Sequence, residues 1–421
     1  MSTASGAFAP PLASAPRVAI IGAGPAGLAA AEVLSAAGAR VAIYDRMPSA
    51  ARKFLMAGRG GLNLTHSEPL PAFLARYGAA AGRLAPAIEA FPPEALRAWA
   101  AGLGEETFTG SSGRVFPRSF KASPLLRAWL ARLGAQGVTF RPRHAFTGFA
   151  PDGALRLATP AGEQSVPVDA VLLALGGASW PRLGADGGWV PLLRGLGVPV
   201  ADLAPANMGV VIPWSDVFRT RFAGTPLKRI ALAFGGRTVR GEAIVTTAGL
   251  EGGAIYALSG ALRDALADGP VTLAIDLRPD LDAAAMARRL AEGPASASLS
   301  TLLRKAAGLS PVGAGLLREA DGTSPGRNDP QALARRIKAV PLTVTGHQGL
   351  ERAISSAGGI GWDAIGADYA LSGLPPALPP VFVAGEMLDW EAPTGGYLLQ
   401  ACLATGRAAA HGMLARLALS R

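Results

Sequence analysis

Three glycines spaced as Gly22-x-Gly24-x-x-Gly27 are the residues whose pattern points most directly to chemistry. In such a pattern the first glycine permits a tight turn. The second lets backbone approach a pyrophosphate, and the third lets a helix pack on a sheet. Pro25 and Ala26 lie inside the pattern, where amide N–H groups at a helix start face phosphate oxygens. Asp45 stands 23 residues after Gly22. That is close to the ~20 at which a carboxylate meets a ribose hydroxyl. Arg46 adds a cation beside it. The constellation reads as a dinucleotide site and leaves FAD and NAD both open.

The elements that must position these residues are legible around them. An apolar run at 18–21 precedes the glycines, and an alanine-rich helical stretch follows to Ala37, where Gly38 stops it. A second apolar run at 41–44 ends at Asp45. This order of strand, turn, helix and strand is one βαβ unit. Next comes RKFLMAGRGGLNLTH at 52–66, with Gly58, Gly60 and Gly61 in four positions. Such a run precludes an ordinary helix or strand and lets backbone lie against a flat or charged ligand. Arg59, Asn63, Thr65 and His66 supply polar groups there. Residues 70–106 read as helical, broken at Pro86 and Pro92-Pro93.

Arg114, Arg118 and Lys121 concentrate charge in a polar turn at 109–123. That turn suits an anionic ligand and a solvated hairpin equally. Ser123 is a candidate N-cap, with Pro124 at the first position of a helix through Leu133. A strand at 138–141 and a small β-meander at 144–168 follow. A buried-type strand at 171–175 then runs into Gly176-Gly177, again a place for close backbone approach. From about residue 205 the texture changes. Residues 205–345 read as an inserted substrate or lid domain, with β segments at about 205–250 and 340–345 and helices at about 254–339. At the C-terminus a strand ends at Gly385-Glu386, followed by Asp389. Gly395-Gly396-Tyr397 then open a helix whose positive end can face a ligand.

Bulk properties bound the rest. A chain of 421 residues that is 50% hydrophobic has material for two or three domains and a large core. The lone cysteine, Cys402, excludes an internal disulfide, a redox CxxC pair and a cysteine-based zinc site. His66, His144, His347 and His411 are too scattered for a metal motif, so no metal is expected. Residues 1–16 read as a disordered lead-in without the features of a signal peptide, which makes the cytoplasm the expected compartment. No apolar run reaches the ~20 residues of a membrane helix. The net charge of +10 comes without a run of basic residues. A scattered arginine-rich surface is expected, with no specific nucleic-acid partner. Oligomeric state is left open.

The motifs together resemble a known family. They are GAGPAGLAAA at 22–31, GRGGLNLTH at 58–66, GSSGRVFPRSFKASPLL at 110–126, ALGGASWPRLGADGG at 174–188 and VAGEMLDWEAPTGGYLLQ at 383–400. In this order they resemble the FAD-binding flavoproteins of the aminoacetone-oxidase type, which are also bile-acid-reductase-like. The resemblance implies an α/β fold: a Rossmann-like FAD-binding domain of the two-dinucleotide-binding-domain type at 17–204 and 346–421. A β-barrel-like plus helical insertion would occupy 205–345. It implies that Gly22, Gly24 and Gly27 hold the pyrophosphate and Asp45 the adenine ribose. Gly58, Arg59, Gly60, Gly61 and Asn63 would lie by the isoalloxazine, with Gly176 and Gly177 also near the cofactor. Gly385, Glu386 and Asp389 would take the ribityl–phosphate part, and Gly395, Gly396 and Tyr397 the pyrimidine end. One departure is visible. The better-known branch has Ser-Gly-Gly-Gly-Arg-Cys-Asn where this chain has Ala57-Gly58-Arg59-Gly60-Gly61-Leu62-Asn63, which marks a distinct subfamily.

The expected activity is an FAD-dependent oxidoreductase that moves a hydride to or from flavin N5 on a small organic substrate. Arg59, His66 and Arg114 are the candidate polar groups near the ring. With one complete GxGxxG pattern, a tightly held second dinucleotide is not expected, although NAD(P)H could dock transiently as hydride donor. The rival reading is a non-redox flavoprotein whose FAD is structural and whose surface binds RNA or a protein partner.

Overall fold

The computed structural model describes residues 15–56, 61–294, 296–320 and 328–419. Most of the expected lead-in, at 1–14, lies outside the described residues, as do Gly58, Arg59 and Gly60. The chain divides into two compact units, 1–204 with 355–421, and 205–354.

The first unit is built on a five-stranded parallel sheet. Its spatial order is Val381–Val383, Ala170–Leu173, Arg17–Ile21, Arg40–Asp45 and Thr139–Pro142. In chain order that is 5-4-1-2-3, so the direction of winding reverses between Arg17–Ile21 and Ala170–Leu173. Ligands of open parallel sheets bind outside the carboxyl ends of the strands at such a reversal. The pairing register there sets Ile21 beside Leu173 on one side and Tyr44 on the other. The central strands are buried on both faces, which is why they read as short apolar runs without alternation.

The helix Pro25–Ala36 covers one face, and the C-terminal helix Tyr397–Leu419 packs against it. Their approach is close: a Cβ on Gly406 would fall 2.2 Å from the Ala26 carbonyl oxygen. Glu32 is a buried acid on the first of these helices. It is satisfied by the indole N–H groups of Trp99 and Trp129 and by the Arg132 guanidinium. Two three-stranded antiparallel sheets belong to the same unit. One is the meander Ala145–Phe149, Leu155–Thr159 and Gly162–Val166. The other sets Arg114–Pro117 between Thr65–His66 and Thr107–Thr109.

The second unit carries a seven-stranded antiparallel sheet with the helices Ala283–Ala291, Leu299–Lys305, Pro311–Glu319 and Pro330–Lys338. Three details differ from the sequence reading. The stretch read as helical contains a strand, Val271–Asp276, because Leu273 and Ile275 alternate into the core. The chain does not leave this unit at 345, since Gly346–His347 still pairs with Val210–Val211; the break falls after Ile354. The helix expected to start after Ser123 begins at Ala122, with Lys121 at the N-cap and no side-chain cap.

Candidate functional site

The fingerprint turn sits at the sheet's reversal point, and its three glycines are required for different reasons. Gly22 has φ +107°, and a Cβ there would lie 2.2 Å from the Ala174 carbonyl oxygen on the neighbouring strand. A Cβ on Gly27 would lie 2.1 Å from the Gly22 carbonyl oxygen. Gly24 is different. Its φ is −80°, which any residue adopts, and a Cβ there would meet nothing within 4 Å. Neither conformation nor the protein's own packing demands glycine at 24, and the space above its backbone is open. That is the cradle a phosphate group needs at a helix N-terminus.

Around it lies a cleft with a cavity volume of about 290 Å³, comparable with the lower end of small-ligand pockets, ~300–1,000 Å³. Gly22, Gly24, Pro25, Ala26, Asp45, Arg46, Gly176, Gly385 and Glu386 all line it, so the fold gathers nine expected residues from four strand ends. Asp45 accepts the amide N–H of Ala23 and of Met47, both at 2.7 Å. Burial pushes its carboxyl above the ordinary value, with these two bonds opposing the shift. Each oxygen keeps acceptor capacity for a hydroxyl. Arg46 pairs with Asp186 across the cleft mouth. Arg52 also lines the cleft, and its Nε is buried without a partner. These features fit a dinucleotide cofactor: bare backbone at the helix start, an acid at the second strand end and an orphaned cation donor.

Gly385 has φ +84°, and a Cβ would lie 2.8 Å from the Ala26 Cβ, so the last strand end abuts the fingerprint helix. Next to it, Glu386 accepts from Lys53 Nζ at 2.7 and 3.1 Å and from the Ser356 amide at 2.9 Å. Lys53 also donates to Ser179. The Ser356 hydroxyl in turn accepts the Ala178 amide at 2.8 Å. Gly177 is tied to this cluster rather than to the cleft lining, because a Cβ would sit 2.4 Å from Ser356 Oγ. Lys53 and Ser356 are site residues that sequence reasoning missed. For Lys53 the available signal was a lone lysine ahead of a glycine run. For Ser356 there was none. Cys402 lines the same cleft, and burial followed by the Glu386 charge pushes its thiol up to about 12, so it is protonated at neutral pH.

The remaining expected residues gather at a second place. Thr65–His66 pairs with Arg114–Pro117 so that His66 faces Arg114 in register. The hairpin and the glycine-loop end are therefore neighbours, which the sequence had left open. Asn63 fastens them by donating to the Thr65 and Val115 carbonyls. Gly61 has φ +98°, with its Cβ direction filled by the Phe120 ring. The start of the C-terminal helix joins the same cluster: a Cβ on Gly396 would lie 2.5 Å from Thr65 Cα. Gly395, at φ +138°, turns the chain into that helix.

Tyr397, the first residue of the helix, stacks its ring on His66 with centroids 5.5 Å apart. Its hydroxyl donates to Glu68 at 2.6 Å. Arg76 grips the same carboxylate through Nε and Nη2, at 3.1 and 2.7 Å. Burial pushes the Glu68 carboxyl up, but the bonds from Arg76 and Tyr397 outweigh it and hold the group below its ordinary value. Tyr397 is pushed far up, by burial and then by Glu68. His66 Nδ1 accepts the Glu68 amide N–H at 3.1 Å, so the ring proton resides on Nε2 and reaches the Ser112 carbonyl at 3.0 Å. Glu68 and Arg76 were not singled out in the sequence. Asp389 stands apart from both groups; its carboxyl is raised by burial and by Glu391, and its carbonyl accepts from Trp362. Among the described residues no cluster of His, Cys, Asp and Glu could hold a metal ion. None of their helices is long and apolar enough to cross a membrane.

Comparison with known proteins agrees with this fold. A 3-dehydro-bile acid delta(4,6)-reductase of Clostridium scindens is 27% identical over 412 residues, covering 93% of this chain and 97% of the reductase. Two solved structures share the fold. The 3-ketosteroid delta1-dehydrogenase of Sterolibacterium denitrificans is 12% identical, with TM-score 0.52 over 96% of this chain and 99% of that one. The 3-ketosteroid-delta4-(5alpha)-dehydrogenase of Rhodococcus jostii RHA1 is 16% identical, with TM-score 0.50 over 95% and 96%. The family model described as HI0933-like protein Rossmann domain matches residues 16–412, so the chain belongs to that family, the FAD-binding oxidoreductases its motifs resemble.

Proposed function

We propose that this protein is an FAD-dependent oxidoreductase that exchanges a hydride with a small organic substrate. The observation that carries the cofactor reading is Gly24, a glycine that neither backbone nor packing requires, at the point where the sheet reverses. The turn at Gly22–Gly27 would take the pyrophosphate on its amide groups, and Asp45 the adenine ribose. The Lys53–Glu386 pair would lie along the ribityl–phosphate stretch: Lys53 can turn to a phosphate oxygen while Glu386 accepts a hydroxyl. When bound, the flavin supplies the hydride-accepting and hydride-donating atom, so no side chain is needed for the transfer itself. The chain's own residues orient the substrate and fix protons. His66, held with its proton on Nε2, and Arg114 beside it are the polar groups available at the glycine loop. The Clostridium scindens relative favours the reductive direction, with NAD(P)H as a transient donor.

The test is the colour and bleaching of the purified protein under anaerobic conditions. A flavin spectrum that bleaches with NAD(P)H identifies a reductase. Bleaching with amines, with peroxide formed on admitting air, identifies an oxidase. Flavin that no donor reduces, together with RNA or protein capture, would turn the reading to a non-redox flavoprotein. Protein that stays colourless after incubation with FAD and gel filtration overturns the cofactor assignment.

A further inference from the structure

A second cavity lies wholly within the unit 205–354, with a volume of about 410 Å³. Its floor is apolar. The Phe218 and Phe222 rings are tilted to each other at 52° with centroids 5.0 Å apart, and the helix Pro311–Glu319 meets both rings at Gly315. A Cβ at Gly315 would lie 2.7 Å from Phe222 and 3.0 Å from Phe218, so the glycine lets bare backbone rest on the aromatic faces. Its rim is cationic. Arg221, Arg304 and Arg318 come from three different helices and converge on this one opening.

None of the three has an acidic partner among the described residues. Arg221 lies over the Phe222 ring at 5.3 Å, and Arg318 donates only to the Ser300 hydroxyl at 2.8 Å. The one acid on the rim, Glu319, is engaged by the amide and hydroxyl of Ser215. Other exposed arginines of the same unit do find carboxylates: Arg219 pairs with Asp216, Arg240 with Asp280 and Arg352 with Glu251. Three guanidinium groups with no carboxylate partner among the described residues line this one hollow, and an anion seated there is attracted by each of them. Guanidinium groups also match carboxylate and phosphate oxygens in geometry.

We propose that this cavity is a binding site for an amphipathic anion, a molecule with an apolar body and a carboxylate or phosphate head. The apolar body packs on Phe218 and Phe222, and the head lies among Arg221, Arg304 and Arg318. All of the cavity's lining residues belong to the unit 205–354, and its occupant need not be the substrate.

Calorimetric titration of the full-length protein with three probes tests it. Decanoate carries both features, decan-1-ol only the body, and inorganic phosphate only the head. Decanoate is expected to bind at low salt at least about fivefold more tightly than either of the others, and to weaken about fivefold in Arg304→Gln/Arg318→Gln. These arginines are exposed, so the variant is expected to keep the wild-type melting temperature and flavin content. Should the glutamine variant misfold, the single charge reversal Arg304→Glu reads the same loss. Equal affinity for decanoate and decan-1-ol overturns the anion role. Equal affinity for decanoate and phosphate overturns the apolar role. Unchanged decanoate binding in the arginine variants overturns the location, and no decanoate binding overturns the site.

Discussion

The Tyr397 hydroxyl donates to Glu68 Oε1 at 2.6 Å, joining groups 329 positions apart in sequence. Tyr77 adds a second tie by donating to the Tyr397 carbonyl at 2.7 Å. The start of the C-terminal helix is therefore pinned to the segment that follows the glycine loop. Glu68 is the shared anchor, because its carboxylate holds Arg76 and Tyr397 while its amide N–H donates to His66 Nδ1.

Tyr397→Phe keeps the stack on His66 and removes one bond to a mostly buried carboxylate. The expected loss is roughly 1–2 kcal/mol of stability at neutral pH, read as a lower urea midpoint. The pH dependence has a definite sign. Glu68 is held below its ordinary value of 4.5 in the folded chain. Its stabilisation is therefore present above that value and is lost as pH falls through the folded-state value. The gap between wild type and Tyr397→Phe should be constant from neutrality down to about pH 5 and shrink under more acid conditions. A gap that widens on acidification would contradict the assigned role of Glu68.

Lys53 and Glu386 are the next pair to test. Lys53→Met leaves the Glu386 carboxylate with only the Ser356 amide, at a side-chain exposure of 11%. The expected cost is about 1–3 kcal/mol. Adding Glu386→Gln to that background removes the unpaired charge, so the double variant should recover part of the lost stability. Chemical denaturation of Lys53→Met, Glu386→Gln and the double variant measures the coupling. Flavin retained after gel filtration should drop in both lysine variants.

What the sequence disclosed follows from separation along the chain. The nucleotide-binding turn was legible because its strands, glycines and acid occupy one stretch of fewer than thirty residues, Arg17–Asp45, with local periodicity. Gly176 and Gly385 were also legible, because each ends an apolar run. Lys53, Glu68 and Ser356 were not, since their roles are set by partners far away in the chain: Glu386 for Lys53, Tyr397 for Glu68 and Ala178 for Ser356. The strand Val271–Asp276 was hidden between two helices, Ser259–Leu266 and Ala283–Ala291, although its Leu273 and Ile275 alternate as a half-buried strand should.

Glu32 offers a test of the core that supports the cleft. It faces two indole N–H donors at 3.0 and 2.8 Å and a guanidinium at 2.8 Å. Glu32→Ala strands all three and should cost about 3 kcal/mol. Glu32→Gln should fall between alanine and wild type, because its carbonyl can serve the indoles while its amide confronts Arg132. Tryptophan fluorescence during urea unfolding reads both, as Trp99 and Trp129 are two of the chain's seven tryptophans.

The three fingerprint glycines separate binding from folding. Gly22→Ala forces a side chain onto φ +107° and into the Ala174 carbonyl. Gly27→Ala drives a methyl into the Gly22 carbonyl oxygen. Both should lower the melting temperature with or without cofactor, by the few kcal/mol typical of overpacking and backbone strain. Gly24→Ala meets no protein atom within 4 Å and keeps an ordinary φ. Its cofactor-free stability should stay within about 0.5 kcal/mol of wild type. The same methyl would stand where the proposed pyrophosphate meets the backbone, so FAD affinity should fall at least about tenfold. Fluorescence titration of the flavin-stripped proteins with FAD, beside their melting curves, gives both numbers. A Gly24→Ala protein that binds FAD as tightly as wild type would remove the pyrophosphate from this turn, whatever the other two variants do.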